Sequence, residues 1–262
     1  MGTALVTGAT SGIGKEFCWQ LAAAGHDLVL VARSEDDLGA LAESLANVAG
    51  VGAEVIAADL STDEGCTRVA ARLDVGGPAQ RGTADLAPVD LLVNNAGFGL
   101  GTDFFDDSLD NEINGLNVMV RAVMILAHHA GTSMRSRGRG AILNVGSVAS
   151  RTGAGTYSAH KAWVVAFTEG LAAELAGSGI TATVVCPGLV DTPFFKRAGV
   201  DRTATPSWLM ASPEQVVTAA LDAVRAGRVQ VTPTIPYKVA MGAMKIAPRW
   251  VTARAMRCVP HM

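Results

Sequence analysis

Tyr157 and Lys161, four residues apart, are the pair of residues in this chain best suited to proton transfer. On a helix this spacing places both side chains on one face, one turn apart. A free phenol has a pKa of about 10. A nearby ammonium stabilises the phenolate and lowers that pKa, so the tyrosine becomes a usable general acid or base. The alternative interpretation is an exposed helical pair with no function.

A glycine-rich turn follows the first β-branched run of the chain and precedes the helical stretch 15–24. Glycines let a backbone pass close to a pyrophosphate, and the amides and positive dipole end of the following helix attract it. The candidate phosphate-binding residues are Gly8, Thr10, Ser11, Gly12, Ile13 and Gly14. The spacing is Gly-x3-Gly-x-Gly and not the commoner GxGxxG. An ordinary tight turn is the alternative.

Arg33 stands at the end of the second predicted strand, where the choice between dinucleotides is made. In NAD-binding folds an acidic side chain at this position accepts hydrogen bonds from the ribose, and here the position is held by Arg33. A guanidinium can donate two charge-assisted hydrogen bonds to a 2′-phosphate. The predicted cofactor is therefore NADP, bound as NADPH. The alternative is a solvated charge neutralised by the nearby Glu35, Asp36 and Asp37.

Seven short β-branched runs alternate with about six helical stretches, a pattern typical of parallel strands buried on both faces. The predicted strands are Ala4–Thr7, Leu28–Val31, Glu54–Ala58, Leu91–Asn94, Ala141–Val145, Thr181–Cys186 and Val229–Thr232. Right-handed crossovers then give an α/β fold, a single doubly wound (Rossmann) domain with helices on both faces of a seven-stranded parallel sheet. We expect this domain to span residues 1–236 and a basic amphipathic tail to span residues 237–262.

Composition excludes several classes of protein. The chain has 262 residues, 49% of them apolar, and a net charge of −3, which excludes a disordered chain. A near-neutral charge argues against a nucleic-acid binder. The four cysteines are far apart in sequence, which argues against a zinc site and a dense disulfide framework. We therefore expect a protein of the reducing cytoplasm. The start of the chain lacks the pattern of a secretion signal, and no apolar run reaches the ~20 residues of a membrane span.

Four motifs follow one another along the chain: the TGxxxGxG turn, Asn94-Asn95-Ala96-Gly97 after the fourth strand, Tyr157-x-x-x-Lys161, and Pro187-Gly188 after the sixth strand. This set of motifs resembles the short-chain dehydrogenase/reductase family. The resemblance covers residues 1–192. It implies an NADP-dependent oxidoreductase that transfers a hydride between nicotinamide and a carbonyl or alcohol carbon.

The resemblance also implies the catalytic roles. Tyr157 would give its proton to the substrate oxygen, and Lys161 would hold the ribose hydroxyls and tune Tyr157. Ser147 would donate a hydrogen bond to the substrate oxygen. Ser147 precedes Tyr157 by ten residues, fewer than the family usually shows. Ser150 is a less favoured substitute because it lies deeper in the connecting loop.

A fourth catalytic residue is implied on the long fourth helix, where Asn117 would retain a water that links Lys161 to solvent. Asn114, one turn earlier, is its rival. The further cofactor contacts that the resemblance implies are Asp59, Leu60, Asn95, Ala96, Gly97, Pro187, Gly188 and Thr192. Among these, Asp59 would contact the adenine and Thr192 the carboxamide. No histidine has a second ligand at useful spacing, so no metal is expected.

Apolar residues beyond the strand ends favour a hydrophobic carbonyl substrate. They are Phe98, Leu100, Phe194, Phe195, Trp208, Leu209 and Met210. The same machinery would also serve a steroid or other secondary-alcohol dehydrogenase. An NADP-binding sensor or scaffold without activity is a hypothesis of another class, and the intact reaction set counts against it. The long fourth and fifth helices offer a face for a homo-oligomer.

The last forty residues contain seven basic residues and no acidic ones. Tyr237, Met241, Met244 and Pro248 follow a helical spacing, which predicts an amphipathic basic segment kinked near Pro248. Such a segment could contact an anionic membrane surface, the phosphates of coenzyme A or an acyl carrier, or the protein's own body. Residues 241–248 also look similar to the tails of actinobacterial ketoacyl reductases, which favours a β-ketoacyl substrate.

Overall fold

The computed structural model describes residues 2–76, 87–101, 103–153, 155–192 and 209–246. Seven parallel strands in these ranges form one sheet in the order β3-β2-β1-β4-β5-β6-β7. The strands are β1 Thr3–Thr7, β2 Asp27–Ala32, β3 Ala53–Ala57, β4 Val89–Asn94, β5 Gly140–Val145, β6 Ile180–Val185 and β7 Gln230–Val231. The predicted doubly wound sheet is confirmed, and the predicted strand ends differ from these by at most two residues.

Eight α-helices are present in the described ranges. They are α1 Gly12–Ala23, α2 Glu35–Ala49, α3 Asp63–Leu73, α4 Leu109–Leu116, α5 Ala122–Arg137, α6 Gly155–Glu174, α7 Pro213–Arg225 and α8 Ile235–Ile246. A π-helical turn, Asn117–Arg121, joins α4 to α5, and a short 3-10 helix spans Val148–Arg151. The helices outnumber the six expected because a π-helical turn divides the fourth helix and the tail contributes α8.

Two apolar layers sandwich the sheet. On one side α1, α2 and α7 pack through residues such as Phe17, Leu45 and Val216. On the other side α3, α5 and α6 pack, with Val69 and Leu126 among the buried residues. Because both faces are covered, the strands are almost continuously apolar, which is why the sequence shows uninterrupted β-branched runs.

The strand order reverses between β1 and β4, which are hydrogen-bonded neighbours although β2 and β3 lie between them in sequence. In a doubly wound sheet the helices following these two strands lie on opposite faces, so a crevice opens beyond their carboxyl ends. The glycine turn follows β1 and the Asn95–Gly97 segment follows β4. The fold therefore brings two of the four sequence motifs to one crevice.

A buried polar network fixes α6 against the middle of the sheet. The Asn94 amide of β4 donates a hydrogen bond to Asn144 Oδ1 of β5 at 2.9 Å. The Asn144 amide in turn donates to Thr168 Oγ1 of α6 at 2.9 Å. Asn144 and Thr168 are fully buried. The helix that carries Tyr157 and Lys161 is thus attached by side chains to the two central strands.

The tail helix α8 packs on the body of the protein, one of the three arrangements that the sequence left open. Met241 is buried in a cluster with Val164 and Cys186, and Tyr237 lies against Gly188. Residues beyond 246, including Pro248, lie outside the described ranges. The predicted division of the chain at residue 236 stays a prediction.

Within the described ranges, no helix combines the length and the apolar content needed to cross a membrane.

Replacing Asn144 by Ala should lower the free energy of unfolding by about 2–3 kcal/mol, because Asn94 and Thr168 each lose a buried partner. Urea denaturation measures the difference. The matched control is Asn47→Ala on the exposed side of α2, which we expect to change stability by less than about 0.5 kcal/mol. Equal losses in both variants would contradict the stabilising role of the network.

Candidate active site

The glycine turn between β1 and α1 forms a cradle that side chains would fill. Gly8 and Gly12 have φ values of +67° and +52°, which disfavour any residue with a Cβ atom. A Cβ atom on Gly14 would lie 2.0 Å from the Gly8 carbonyl oxygen and 2.4 Å from Asn95 Nδ2. The helix begins at Gly12, so its first free amides face this cradle. An anion such as a pyrophosphate fits this arrangement.

Thr7 joins the glycine turn to the segment after β4. Its hydroxyl oxygen accepts hydrogen bonds from the backbone amides of Asn95 and Ala96, both at 3.0 Å. The Asn95 side chain donates back to the Thr7 carbonyl at 2.9 Å. Thr7 was not among the predicted site residues. Its contacts are with residues 88 and 89 positions away, a separation for which the sequence carries no signal.

The two residues predicted at the adenosine end lie at the carboxyl ends of β2 and β3. Arg33 is exposed directly after β2, and no ion pair joins it to an acidic side chain in the described part of the chain. The nearby acidic residues instead begin α2, where Ser34 caps the helix and the negative charges complement its dipole. Asp59 Oδ1 accepts hydrogen bonds from the backbone and hydroxyl of Ser61. Leu60 beside it is buried.

Ser147 and Tyr157 come together just beyond β5. Ser147 caps the 3-10 helix, accepting a hydrogen bond from the Ala149 amide at 3.1 Å, and its side chain also hydrogen-bonds Tyr157. The shortened loop between them therefore still allows the contact. The rival Ser150 is a half-buried residue in the 3-10 helix, and its hydroxyl finds no partner among the described residues.

Burial dominates the acidity of Tyr157. It raises the pKa of the phenol to about 12, and the hydrogen bond from Ser147 opposes that rise. The ring belongs to an apolar cluster with Leu100, Met119 and Ala149. The sequence predicts a lowered pKa, and the structure shows the opposite direction because desolvation outweighs every other contribution. At neutral pH Tyr157 therefore carries its proton.

Lys161 is buried and close to Tyr157, as the four-residue spacing predicts. Its Nζ atom lies 5.8 Å from the centre of the Tyr157 ring and donates a 2.8 Å hydrogen bond to the Val145 carbonyl. Burial lowers the Lys161 pKa to about 8. A Cβ atom on Gly97 would lie 3.6 Å from Nζ, so the segment after β4 passes directly over the amine. The alternative of an exposed helical pair is wrong for these two residues.

Asn117 begins the π-helical turn, and its carbonyl oxygen accepts a hydrogen bond from the Ala122 amide. Single π turns inside α-helices are frequent at functional sites. Asn114 lies in regular α4 helix. The contrast favours Asn117 over its rival, and the role of either residue stays a prediction.

The segment after β6 closes the other side of the crevice. Thr192 is buried, and a Cβ atom on Gly12 would lie 3.2 Å from its side chain, so this segment reaches the start of α1. Gly188 leaves room for the Tyr237 ring, whose carbon atoms would be 2.0 Å from an added Cβ. Pro187 accepts a hydrogen bond from the Val148 amide at 2.9 Å. The predicted Phe194, Phe195 and Trp208 lie outside the described ranges.

Ser158, inside the tyrosine motif, is a positioning residue that the sequence analysis missed. Its hydroxyl donates a hydrogen bond to the Ala149 carbonyl and accepts one from the Gly153 amide at 3.1 Å. Thr152 also donates to the Ala149 carbonyl at 2.9 Å. These bonds fasten the loop after Ser147 to the first turns of α6. The distance between Ser147 and Tyr157 therefore depends on Ser158.

No group of three or more His, Cys, Asp or Glu side chains that could hold a metal ion occurs in the part of the chain that the structure describes.

Comparison with known proteins identifies the class. A family profile described as short chain dehydrogenase matches residues 2–203. The chain belongs to this family of oxidoreductases.

Individual relatives are similar over most of their length. A protein proposed to be the ketoacyl reductase of the monensin polyketide synthase of Streptomyces virginiae is 40% identical, covering 74% of this chain and 72% of the relative. An acetoacetyl-CoA reductase of Shinella zoogloeoides is 33% identical, covering 72% and 74%. A short-chain dehydrogenase of Sphingobium yanoikuyae, solved with NADPH, is 31% identical with a TM-score of 0.83 and covers 94% of each chain. The resemblance to actinobacterial ketoacyl reductases is confirmed.

Replacing Gly14 by Ala should weaken dinucleotide binding at least tenfold, because the added methyl group collides with the Gly8 carbonyl and distorts the cradle. Titration of the intrinsic fluorescence with NADPH measures the affinity. Gly39→Ala in α2 is the matched control, since a Cβ atom there meets nothing within 4 Å. The control should bind normally and gain about 0.5–1 kcal/mol of stability. Unchanged affinity in Gly14→Ala would refute the cradle.

Proposed function

We propose that this protein is an NADPH-dependent carbonyl reductase for hydrophobic substrates, with a β-ketoacyl compound as the favoured substrate class. One observation carries the proposal. Ser147, Tyr157 and Lys161 converge in a buried site at the crevice that the glycine turn borders. This arrangement supports an enzyme over an NADP-binding scaffold without activity.

The chain's own residues would handle the proton. NADPH, when bound, would supply the hydride to the carbonyl carbon. Tyr157, kept protonated by burial, would give its hydroxyl proton to the carbonyl oxygen while Ser147 donates a second hydrogen bond to that oxygen. Lys161 would stabilise the resulting phenolate with its positive charge. Its proposed contacts with the ribose hydroxyls agree with its position beside Gly97.

The substrate class is inferred from the surroundings of Tyr157. Phe98, Leu100, Met119 and Ala149 form an apolar cluster around its ring. Such a lining favours a carbonyl carried on a hydrophobic chain or ring. Two relatives named for ketoacyl or acetoacetyl-CoA reduction point to a β-ketoacyl compound. A steroid or other secondary-alcohol substrate stays as the alternative, because the same residues would catalyse that reaction.

Two further proposals concern partners. Leu109, Ile113, Leu116 and Met124 are exposed at helical spacing along α4 and α5, which supports pairing of two copies of the chain through this face. Contact of the tail with an acyl carrier or a membrane surface would have to use the residues after 246 or the outer face of α8. That face carries the exposed Lys238.

Replacing Tyr157 by Phe should reduce turnover by about 10²–10⁴-fold and leave NADPH affinity unchanged, because only the transferable proton is lost. Consumption of NADPH is followed at 340 nm against a panel of apolar ketones, sterols and β-ketoacyl thioesters. The second tyrosine supplies the control, and Tyr237→Phe should retain activity within a few-fold. Retained turnover in Tyr157→Phe would refute the proton role. A panel with no reduced substrate would refute the substrate class.

Replacing Arg33 by Ala should weaken NADPH binding by about ten- to a hundredfold and leave NADH binding nearly unchanged, since charge-assisted hydrogen bonds to the 2′-phosphate are lost. The control is Arg228→Ala, an exposed arginine before β7 at the opposite ends of the strands. Fluorescence titrations with both dinucleotides measure the ratio of the two affinities. An unchanged ratio in Arg33→Ala would remove the basis for NADPH preference.

A further inference from the structure

The tail helix α8 is apolar on two sides, and the described part of the body covers one of them. Tyr237, Met241 and Met244 face the body. Ile235 and Val239 lie on the opposite side, one turn apart, with 75% and 68% of their surfaces exposed. A surface helix normally presents polar residues to water. Two exposed β-branched residues in one stripe therefore indicate a contact face.

The outer face of α8 consists of the exposed residues Ile235, Lys238, Val239 and Gly242, at positions i, i+3, i+4 and i+7. Lys238 carries a positive charge at the edge of the apolar stripe. A lysine can lay its methylene groups along apolar surface while its ammonium stays among polar groups. The outer face therefore suits a partner that is apolar inside and anionic at its surface.

The charge of the chain is divided unevenly between its body and this end. From residue 235 onward the sequence has no Asp or Glu, and all 24 acidic residues precede α8. The basic residues of this end are Lys238, Lys245, Arg249, Arg254 and Arg257. An anionic surface attracts these charges and repels the acidic residues of the body, so the charge pattern orients α8 toward such a surface.

The helix is folded and held in place without a partner on its outer face. Pro236 lies in its first turn, where the fixed φ of proline suits the start of a helix. The Lys238 amide donates a 2.9 Å hydrogen bond to the Thr234 carbonyl, and Tyr237 lies against Gly188. Docking of the outer face therefore requires no folding of α8, which keeps its cost in conformational entropy small.

The covered side of α8 lies against two segments of the candidate active site. Tyr237 meets Gly188 after β6, and Met241 belongs to the apolar cluster that contacts Val148, the residue after Ser147. A helix with its side chains is about 10 Å thick. A surface that touches the outer face would therefore lie about one helix diameter from the segments that border the crevice.

We propose that the outer face of α8 docks on an anionic lipid surface, with the helix axis parallel to the membrane plane. Ile235 and Val239 enter the boundary between headgroups and acyl chains, and Lys238 contacts the lipid phosphates. An acidic acyl carrier would match the charge, but the aliphatic stripe favours lipid, which accepts such side chains without a matching pocket. Uptake of the hydrophobic carbonyl substrate from the lipid rests on the reductase function described above.

Co-sedimentation of the full chain with vesicles tests the docking without any assay of activity. Vesicles of phosphatidylcholine with about one third phosphatidylglycerol should bind at least about tenfold more tightly than phosphatidylcholine alone, because several basic residues contact the surface. Salt at about 1 M should release most of the protein, since it shortens the Debye length to about 3 Å. Equal binding to both kinds of vesicle, or binding to neither, overturns the proposal.

Substitution of the apolar stripe tests the outer face itself. The double variant Ile235→Ser with Val239→Ser should bind the anionic vesicles at least about tenfold more weakly, because two aliphatic side chains no longer enter the lipid. The matched control is Val48→Ser on α2, whose side chain is also 75% exposed and which should bind as the wild type does. Undiminished binding of the double variant contradicts the assignment of this face.

Substitution of the charge tests the partner. Lys238→Gln should weaken binding to the anionic vesicles about fivefold, whereas Arg135→Gln, at an exposed site on α5, should leave it unchanged. Fluorescence anisotropy with a labelled acyl carrier protein examines the competing partner. Saturable binding of the acyl carrier, combined with no binding to vesicles, assigns the outer face to an acidic protein and overturns the lipid proposal.

Reduction of a long-chain ketone embedded in vesicles, compared with a short water-soluble ketone, tests the source of the substrate. The double variant should show a KM about tenfold higher for the embedded ketone and an unchanged KM for the soluble one. Normal reduction of the embedded ketone by a variant that no longer binds vesicles overturns uptake from the lipid. If the wild-type protein reduces neither ketone, the proposed function fails, while co-sedimentation still reports on the docking.

Discussion

The candidate active site depends on one costly placement, a lysine ammonium buried beneath the segment after β4. The Val145 carbonyl, at the end of β5, is the acceptor that partly offsets the loss of water around Lys161. This bond requires α6 to lie at a fixed position on the sheet. The buried Asn94–Asn144–Thr168 network helps to hold the helix at that position. Stability and chemistry are thus supported by the same two strands, since β4 and β5 provide both the network and the carbonyl.

Burial acts on the two neighbouring groups in opposite directions. It disfavours the charged form of each, so the Tyr157 pKa rises to about 12 while the Lys161 pKa falls to about 8. The tyrosine therefore keeps its proton at neutral pH, which the proposed role as proton donor requires. Ser147 opposes the rise of the Tyr157 pKa, and Ser158 fixes the loop that carries Ser147. A neutral donor with a fixed partner suits reduction of a carbonyl.

The apolar residues on one face of the tail pack on the body of the protein as far as Met244. Tyr237 occupies the space left by Gly188, and Met241 packs in a cluster with Val164 and Cys186. This face of α8 therefore supports the segment after β6, which also reaches the glycine turn through Thr192. A substitution in the tail would act on the crevice through this segment. The excess of positive charge at the end of the chain is a separate feature of the sequence.

Local patterns in the sequence determined the strands, the glycine turn and the Tyr157–Lys161 pair, because strand burial, helix periodicity and turn geometry each depend on residues a few positions apart. The reversal of strand order was also predictable, since right-handed crossovers leave few topologies. Only the tertiary structure revealed that Thr7 holds the Asn95 segment, that Ser158 fastens the loop after Ser147 to α6 and that burial raises the Tyr157 pKa. Those features arise from side chains that are distant in sequence, and from exclusion of water, which neither composition nor spacing reports.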